Sequence, residues 1–281
     1  MPAKTRVAFQ GEHGAYSELA CIALLGSDAE TLPMQSFDDV FEAIENGDCE
    51  FGVVPLENSL AGSVHRNYDL LLKHDLHIRA EHVEQICHCL ITQPGVKLSE
   101  IKRVYSHPQA LAQCEHNLKH LEGVEPFVAE DTAGSVRMLK TEGWRDAAAL
   151  AGKGAAELYG MQILDEHMED DPSNFTRFVL LGRKPIEDPK DAKTSLAFAG
   201  QNEPGLLFQC IAAFALRGID LTKIESRPLR GKPWQYVFYL DFEGSLAETR
   251  CQKALDQLEE MTTFVRVFGS YPRAKQPLSQ A

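Results

Sequence analysis

The chain has 281 residues, of which 44% are hydrophobic and 25% charged, and its formal net charge is −13. This length and balance indicate a folded protein larger than one typical domain and argue against disorder. No apolar stretch approaches the roughly 18–20 uncharged residues of a membrane span, and the N-terminus lacks the basic-then-apolar layout of a signal peptide, so a cytoplasmic protein with no membrane partner is predicted.

The acidic excess is unevenly distributed along the chain. Residues 195–281 carry 10 basic and 9 acidic side chains, so the excess lies before residue 195. This asymmetry supports a domain boundary near that residue. Because no basic stripe is present to neutralise phosphates, the composition also argues against nucleic-acid binding.

Two α/β units are predicted at the N-terminus. A strand at 6–9 leads into a turn whose glycines let backbone N–H groups and the hydroxyls of Tyr16 and Ser17 face a ligand, and a helical pattern follows. A second helix at 37–46 precedes a strand at 51–54. Strands that alternate with helices indicate an α/β sheet.

A polar loop is predicted after the second of these strands. It contains Glu57, Asn58 and Ser59 and leads into a helix that ends near residue 72. Polar residues clustered after strand ends predict a ligand crevice at the carboxyl edge of the sheet.

Further alternating elements are predicted between residues 87 and 164. Ser106 is expected to cap a helix at 108–121, and Asp131 lies in a second cap that opens a helix ending near 140. The remaining predicted elements are strands at 87–92 and 147–150, a helix at 154–159 and a connection at 163–164, while the segments 104–106 and 127–128 lead into the two caps without an assigned element. Two chain crossings between the α/β halves predict a cleft between two lobes, as in periplasmic binding proteins.

Seven cysteines, an odd number, fit reduced thiols better than a disulfide framework. Cys87, His88 and Cys89, with His82 nearby, form a possible set of metal ligands. The segment alternates like a half-buried strand, however, and lacks a second ligand pair. No metal is therefore predicted.

The polar segment 173–178, Ser-Asn-Phe-Thr-Arg-Phe, feeds directly into the apolar run 179–181. A loop that sets hydroxyl, amide and guanidinium donors at the mouth of a buried strand can hold an anionic ligand and hydrogen-bond a leaving oxygen. This segment is the predicted active site. Arg177 is a candidate partner for a substrate carboxylate, with pairing to Asp170 or Asp171 as the alternative.

A separate C-terminal domain is predicted after a linker at 185–193. Its elements are a strand at 195–199, a helix at 206–217, strands at 221–227 and 235–242, a helix at 246–259 and a strand at 265–271. This βαββαβ order is a ferredoxin-like plan. Because its helices cover only one face of the sheet, pairing with another copy is expected, which predicts a homo-oligomer.

Four motifs, in this order along the chain, together resemble those of prephenate dehydratases. They are Glu57-Asn58-Ser59, Ser106-His107-Pro108-Gln109-Ala110-Leu111, Asp131-Thr132-Ala133 and Asn174-Phe175-Thr176-Arg177-Phe178. The segments 203–207 and 224–228 resemble the regulatory ACT domain of that family. The resemblance implies a two-lobed, periplasmic-binding-protein-like catalytic domain at 1–184, a linker at 185–194 and a ferredoxin-like ACT domain at 195–281.

The resemblance implies a decarboxylative dehydration. Prephenate would lose its ring carboxylate as carbon dioxide and its ring hydroxyl as water, giving phenylpyruvate for phenylalanine synthesis. Because aromatisation supplies the driving force, neither a redox cofactor nor a metal is expected. The site must grip carboxylates, exclude water and help the hydroxyl to leave.

By resemblance, Thr176 is the residue most closely tied to catalysis, with Ser173, Asn174 and Arg177 beside it. The substrate-binding residues implied are Glu57, Asn58, Ser59, Ser106, His107, Gln109, Thr132 and Phe178. Simpler interpretations stay open: Ser106 and Thr132 as helix caps, and Glu57 as a structural contact. His107 is either an acid or an orienting hydrogen-bonder, and the second is preferred. Phe178 is expected to be a cleft wall or core residue.

The ACT resemblance implies that phenylalanine binds between paired domains and shifts the catalytic lobes to a less active arrangement, an allosteric inhibition. The implied binding residues are Pro204, Gly205, Leu206, Leu207, Glu225, Ser226, Arg227 and Pro228. The implied assembly is a dimer through the ACT domains, joined into a homotetramer. An exposed ion pair between Glu225 and Arg227 is the structural alternative.

Other functions remain open at this point. The stretch 65–71, with 106–116, closely resembles arogenate dehydratases, which perform the same elimination on the amino analogue. Prephenate is preferred because the plant enzymes' transit extension is absent. A non-catalytic amino-acid sensor is the alternative from another class, and a metal-dependent hydrolase using Cys87, His88 and Cys89 is the weakest.

Overall fold

The computed structural model describes residues 4–229 and 235–274 and divides into two compact units. The first unit comprises Met1–Asn67 and His82–Phe178, and the second comprises Tyr68–Glu81 and Val179–Ala281. Among the described residues, no helix is long and apolar enough to cross a membrane.

The first sheet has the strand order β2-β1-β3-β11-β5, with β4 paired to β3. Strand β1 is parallel to both β2 and β3. The elements are β1 (Arg6–Gln10), α1 (Tyr16–Leu25), β2 (Glu30–Met34), α2 (Phe37–Asn46), β3 (Phe51–Asn58), β4 (Gly62–Ser63), α3 (His65–Lys73), β5 (His77–Gln85) and β11 (Phe175–Gly182).

The second sheet has the order β10-β6-β9-β7-β8. Its elements, with their helices, are β6 (Cys89–Thr92), β7 (Arg103–Ser106), α4 (Pro108–Gln113), α5 (Glu115–Lys119), β8 (Glu125–Val128), α6 (Thr132–Glu142), β9 (Ala147–Ala151), α7 (Lys153–Tyr159) and β10 (Gln162–Asp165). The central strand β9 is almost all alanine and fully buried, because core clusters cover both of its faces.

The third sheet is antiparallel, with the order β13-β14-β12-β15. Its elements are β12 (Ala192–Ala199), α8 (Leu206–Ala215), β13 (Leu221–Pro228), β14 (Tyr236–Glu243), α9 (Thr249–Met261) and β15 (Phe264–Pro272). Apolar residues of the sheet pack against both helices in one core. The predicted fold class is confirmed: two α/β sheets with their helices, and a ferredoxin-like βαββαβ domain.

Several predicted boundaries are corrected by the structure. Strand β3 continues to Asn58, so Glu57 and Asn58 belong to a strand and not to a loop. The predicted helix at 108–121 is two helices separated at Cys114. The connection at 163–164 is strand β10, and β12 takes in the last three residues of the predicted linker.

Three strands of the first sheet have no counterpart in the predicted elements: β2, the two-residue β4 and β5. Strand β2 lies at an edge of the sheet and contains Pro33, a residue that lacks the backbone donor of an ordinary strand. Strand β5 mixes polar and partly buried positions without a clean alternation. Both therefore escape a periodicity argument.

Candidate active site

A cavity of ≈ 580 Å³ lies within the first unit. Residues at the N-terminal ends of α1, α2, α4 and α6 line it, together with the end of β3, the start of β11 and the segment before β6. Backbone N–H groups in the first turn of a helix favour anions. The N-cap of α1, Ala15, offers no side-chain acceptor, which leaves the first turn of this helix without a side-chain cap.

Asn58 organises one wall of the cavity. Its Oδ1 accepts hydrogen bonds from the backbone N–H groups of Leu60 at 3.1 Å and Ala61 at 2.8 Å, which fixes the orientation of the amide. Its Nδ2 therefore faces Asn174 Oδ1 at 2.7 Å and Thr176 Oγ1 at 3.0 Å as a donor. Since the Thr176 oxygen accepts this bond, its own hydrogen can be donated to a ligand in the cavity.

The hydrogen bonds continue from Asn174 along the same wall. Asn174 Nδ2 donates to Gln113 Oε1 at 3.0 Å, and His88 Nε2 lies 3.3 Å from that oxygen. The Tyr16 hydroxyl lies 3.2 Å from His88 Nδ1 and donates to the backbone oxygen of Cys87 at 2.6 Å. Burial raises the pKa of Tyr16 well above its ordinary value, so the phenol keeps its proton.

Charged groups are few in the cavity wall and mostly paired. Arg66 Nη2 contacts Asp38 Oδ1 at 2.5 Å, and the Asp131 carboxylate caps α6 by accepting from Gly134 N at 2.5 Å. Glu130 also lines the cavity and is exposed. A dianionic ligand would therefore depend on helix N-termini and neutral donors as much as on Arg66.

Eight of the residues predicted from the sequence to face a ligand line the cavity. They are Tyr16, Ser17, Asn58, His107, Gln109, Thr132, Thr176 and Phe178. Thr132 is the first residue of α6, whose N-cap is Asp131. His107, and not Ser106 as expected, is the N-cap of α4, because its Nδ1 accepts from Gln109 N at 3.2 Å. Ser106 is buried and donates to the Leu150 carbonyl at 2.6 Å, so its role is structural.

Six of the predicted site residues do not line the cavity: Glu57, Ser59, Ser106, Ser173, Asn174 and Arg177. Ser59 Oγ donates to the Ser173 carbonyl at 2.6 Å and accepts from Phe175 N at 2.9 Å, which ties the two segments together. Asn174 is fully buried behind the wall and reaches it only through its hydrogen bonds.

Arg177 requires a correction. Thr176 and Phe178 face the cavity, and alternation along β11 turns Arg177 to the opposite side. Arg177 Nη1 lies 3.7 Å from Glu57 Oε2. The alternative partners Asp170 and Asp171 instead accept from backbone N–H groups of residues 116, 117 and 173, and the pairing of Arg177 with a substrate carboxylate stays a prediction.

Sequence reasoning missed several cavity residues. Gln113 lies four residues after Gln109 on the same short helix, and this spacing was a usable signal. His88 entered only as a possible metal ligand, whereas its ring contacts Tyr16 and Gln113. Arg66 gave no signal of its own.

The suspected metal ligands are not brought together in the described part of the chain. Possible ligand atoms of Cys87, His167 and Glu169 lie within 4.8 Å of one another, but the His88 ring points elsewhere. Cys89 is buried, and burial raises the pKa of its thiol to about 11. In the structure, Cys87, His88 and Cys89 therefore do not form one group of metal ligands.

The residues implied as an effector site lie in the second unit. Gly205 has a φ of 91°, a left-handed conformation that favours glycine, at the N-cap of α8. Arg227 Nη1 contacts Asp69 Oδ1 at 2.8 Å, and Lys223 contacts Glu225 at 3.1 Å.

Comparison with known proteins gives consistent matches. A family model described as prephenate dehydratase matches residues 7–186. Arogenate dehydratase/prephenate dehydratase 2, chloroplastic, of Arabidopsis thaliana is 47% identical over 280 residues, covering 96% of this chain and 73% of that protein. Because this and other relatives are chloroplastic, the expectation of a cytoplasmic protein is contradicted.

Two solved structures are similar over nearly the whole chain. GqqA, described as a novel type of quorum quenching acylase, is 36% identical, with a TM-score of 0.88 and coverage of 96% of this chain and 98% of that chain. The prephenate dehydratase of Arthrobacter aurescens in complex with L-Phe is 31% identical, with a TM-score of 0.88 and coverage of 99% and 93%.

Proposed function

The chain belongs to the prephenate dehydratase family, and we propose that it converts prephenate to phenylpyruvate, carbon dioxide and water in phenylalanine biosynthesis. One observation carries the proposal. The Thr176 hydroxyl lies in the cavity wall with its oxygen accepting from Asn58, so its hydrogen is available to a leaving hydroxyl.

The chemistry needs little from the protein beyond orientation and hydrogen bonds. As the bond between the ring and its carboxylate breaks, the electron pair moves through the ring and the carbon–oxygen bond to the hydroxyl breaks. Carbon dioxide leaves, the ring becomes aromatic, and the departing oxygen gains a proton to form water. A threonine hydroxyl is a poor acid, so Thr176 acts as a hydrogen-bond donor to this oxygen, and the one proton that the reaction consumes in forming water is taken up from the buffered solvent.

His107 serves as an orienting donor in this scheme. Its Nδ1 accepts from the Gln109 N–H, so the neutral ring carries its hydrogen on Nε2. Protonation of Nδ1 would break this cap of α4, which disfavours a role as an acid. The Nε2–H group and the uncapped first turn of α1 are suited to the two substrate carboxylates.

Arogenate is the second candidate substrate, and two observations favour it. The Arabidopsis thaliana relative carries both names, and the exposed Glu130 carboxylate lines the cavity, where it would attract the ammonium group of arogenate. Prephenate has a keto group at that position and gains nothing from this carboxylate.

Phenylalanine inhibition through the C-terminal domain is part of the proposal. The Arthrobacter aurescens relative was solved with L-Phe, and exposed apolar side chains of the second unit, Phe208, Leu216 and Ile224, suit pairing between copies. We expect a dimer through these domains, joined into a tetramer, with phenylalanine between the paired domains.

Steady-state kinetics on the purified protein test the proposal. Phenylpyruvate from prephenate and phenylalanine from arogenate are quantified separately, each with and without added phenylalanine. Ligand binding without product would favour the amino-acid sensor. Hydrolysis of an amide to a free carboxylic acid and an amine, with no dehydration, would favour an acylase activity, as described for GqqA.

A further inference from the structure

We propose that His88 is a positioning residue for the dehydration step. It orients the Gln113 amide and, through Asn174 and Asn58, keeps the Thr176 hydroxyl hydrogen directed into the cavity. The inference deepens the proposed function and rests on it. Five side chains form one continuous series of hydrogen bonds, from His88 through Gln113, Asn174 and Asn58 to Thr176, and His88 is its only ionisable member.

The direction of every bond follows from one fixed end. Backbone N–H groups hold Asn58 Oδ1, so Asn58 Nδ2 must donate, and Asn174 Oδ1 must accept. Asn174 Nδ2 is then the donor to Gln113 Oε1. Because that oxygen is an acceptor only, His88 Nε2 at 3.3 Å must carry a hydrogen and donate it.

On the far side of the ring, neutral His88 with its hydrogen on Nε2 has an unprotonated Nδ1, and the Tyr16 hydroxyl lies 3.2 Å from it. That hydroxyl donates its single hydrogen to the Cys87 carbonyl at 2.6 Å, so the assignment of the ring hydrogen rests on the contact with Gln113. The ring is 2% exposed and sits at an edge-on angle of 81° to the Tyr16 ring, so packing and hydrogen bonds hold the same orientation.

The series positions groups and does not carry protons. Two amides, Gln113 and Asn174, separate His88 from Asn58 and Thr176, and a neutral amide does not relay a proton under ordinary conditions. The part of His88 that matters is therefore the N–H donor at the Nε2 position. A side chain that keeps this donor without titrating should keep the function.

This requirement gives a matched pair of variants. Glutamine places an amide N–H group near the position of Nε2, whereas asparagine places one near Nδ1 and cannot reach Gln113. We expect His88→Gln to keep kcat on prephenate within about threefold. We expect His88→Asn to lower kcat by roughly tenfold to a hundredfold with little change in KM, because Gln113 Oε1 then keeps only the bond from Asn174 and loses the second bond that fixes the amide's orientation.

The control is His82→Asn, since His82 pairs with Glu84 at 2.7 Å and does not line the cavity. Urea unfolding midpoints of all variants show whether a loss of kcat is only a loss of folded protein. Equal kcat for the two His88 variants would overturn the inference: an equal loss would make His88 an acid, and no loss would make it dispensable.

A measurement on the wild-type protein tests the inference even if a variant fails to fold. The ¹⁵N shifts of selectively labelled histidine report which ring nitrogen of His88 carries the hydrogen. We predict hydrogen on Nε2 only, and hydrogen on Nδ1 would overturn the inference. Failure of the proposed function looks different, because the wild-type protein would then form no product from either substrate.

Discussion

Replacing Thr176 with valine separates its catalytic role from its structural one. Valine matches threonine in shape but lacks the hydroxyl. Asn58 Nδ2 has two hydrogens and three acceptors, Asn174 Oδ1 at 2.7 Å, Thr176 Oγ1 at 3.0 Å and the Phe175 carbonyl at 3.2 Å. Without the hydroxyl, the second hydrogen still has the carbonyl, so the free energy of unfolding should fall by about 1 kcal/mol or less.

The catalytic effect should be much larger than the structural one. Loss of one preorganised donor at a developing negative charge lowers kcat by roughly 10²–10³, or about 3–4 kcal/mol of barrier. Initial rates of phenylpyruvate formation give kcat and KM for Thr176→Val, with Thr176→Ser as the control that keeps the hydroxyl. A kcat within threefold of wild type for Thr176→Val would remove this hydroxyl from the mechanism. A parallel collapse of stability would show that its role is structural.

Three further outcomes are expected. Gly14→Ala should lower the free energy of unfolding in urea titrations by about 2–4 kcal/mol. The φ angle of Gly14 is +89°, and a Cβ at this position would lie 2.8 Å from Ala155 Cα. An unchanged urea midpoint would contradict this close approach. Arg227→Gln should raise the half-inhibitory phenylalanine concentration about tenfold by breaking the contact with Asp69, whereas an equal loss of activity without phenylalanine would indicate an assembly defect. Burial lowers the pKa of His88, so below about pH 6.5 the unfolded state binds more protons than the folded state. The free energy of unfolding should therefore fall as the pH drops from about 6.5 through the lowered pKa. His88→Gln should make this fall smaller, and identical pH profiles of the two proteins in urea titrations would contradict the prediction.

The sequence was most informative where a residue type and a periodicity agreed. Helix α2 was predicted with its observed bounds, and in the structure Ser36 and Asp39 form a capping box at its start while Gly47 ends it in a left-handed conformation. The βαββαβ order of the third sheet followed from the same reasoning over six elements. The resemblance to prephenate dehydratase motifs predicted the reaction assigned to segment 173–178, which hydrophobic periodicity alone does not indicate.

The remaining errors have physical causes. Segment 173–178 was interpreted as a loop, in which neighbouring side chains do not alternate between two faces. In the structure, residues 175–178 belong to strand β11, so the side chains of Thr176 and Arg177 point to opposite faces. The break at Cys114 has no glycine or proline to mark it. The series through His88 joins residues distant in sequence, such as Gln113 and Asn174, and only tertiary structure brings them together.

The proposed dehydration is tested most directly by measuring product formation by the purified protein supplied with prephenate or with arogenate at equal concentrations. We predict phenylpyruvate from prephenate with the higher kcat/KM, suppressed by added phenylalanine. A higher kcat/KM on arogenate would move the assignment to the amino substrate and give Glu130 the deciding contact. The absence of product from both substrates, with a folded protein, would contradict the central claim that this cavity catalyses a decarboxylative dehydration.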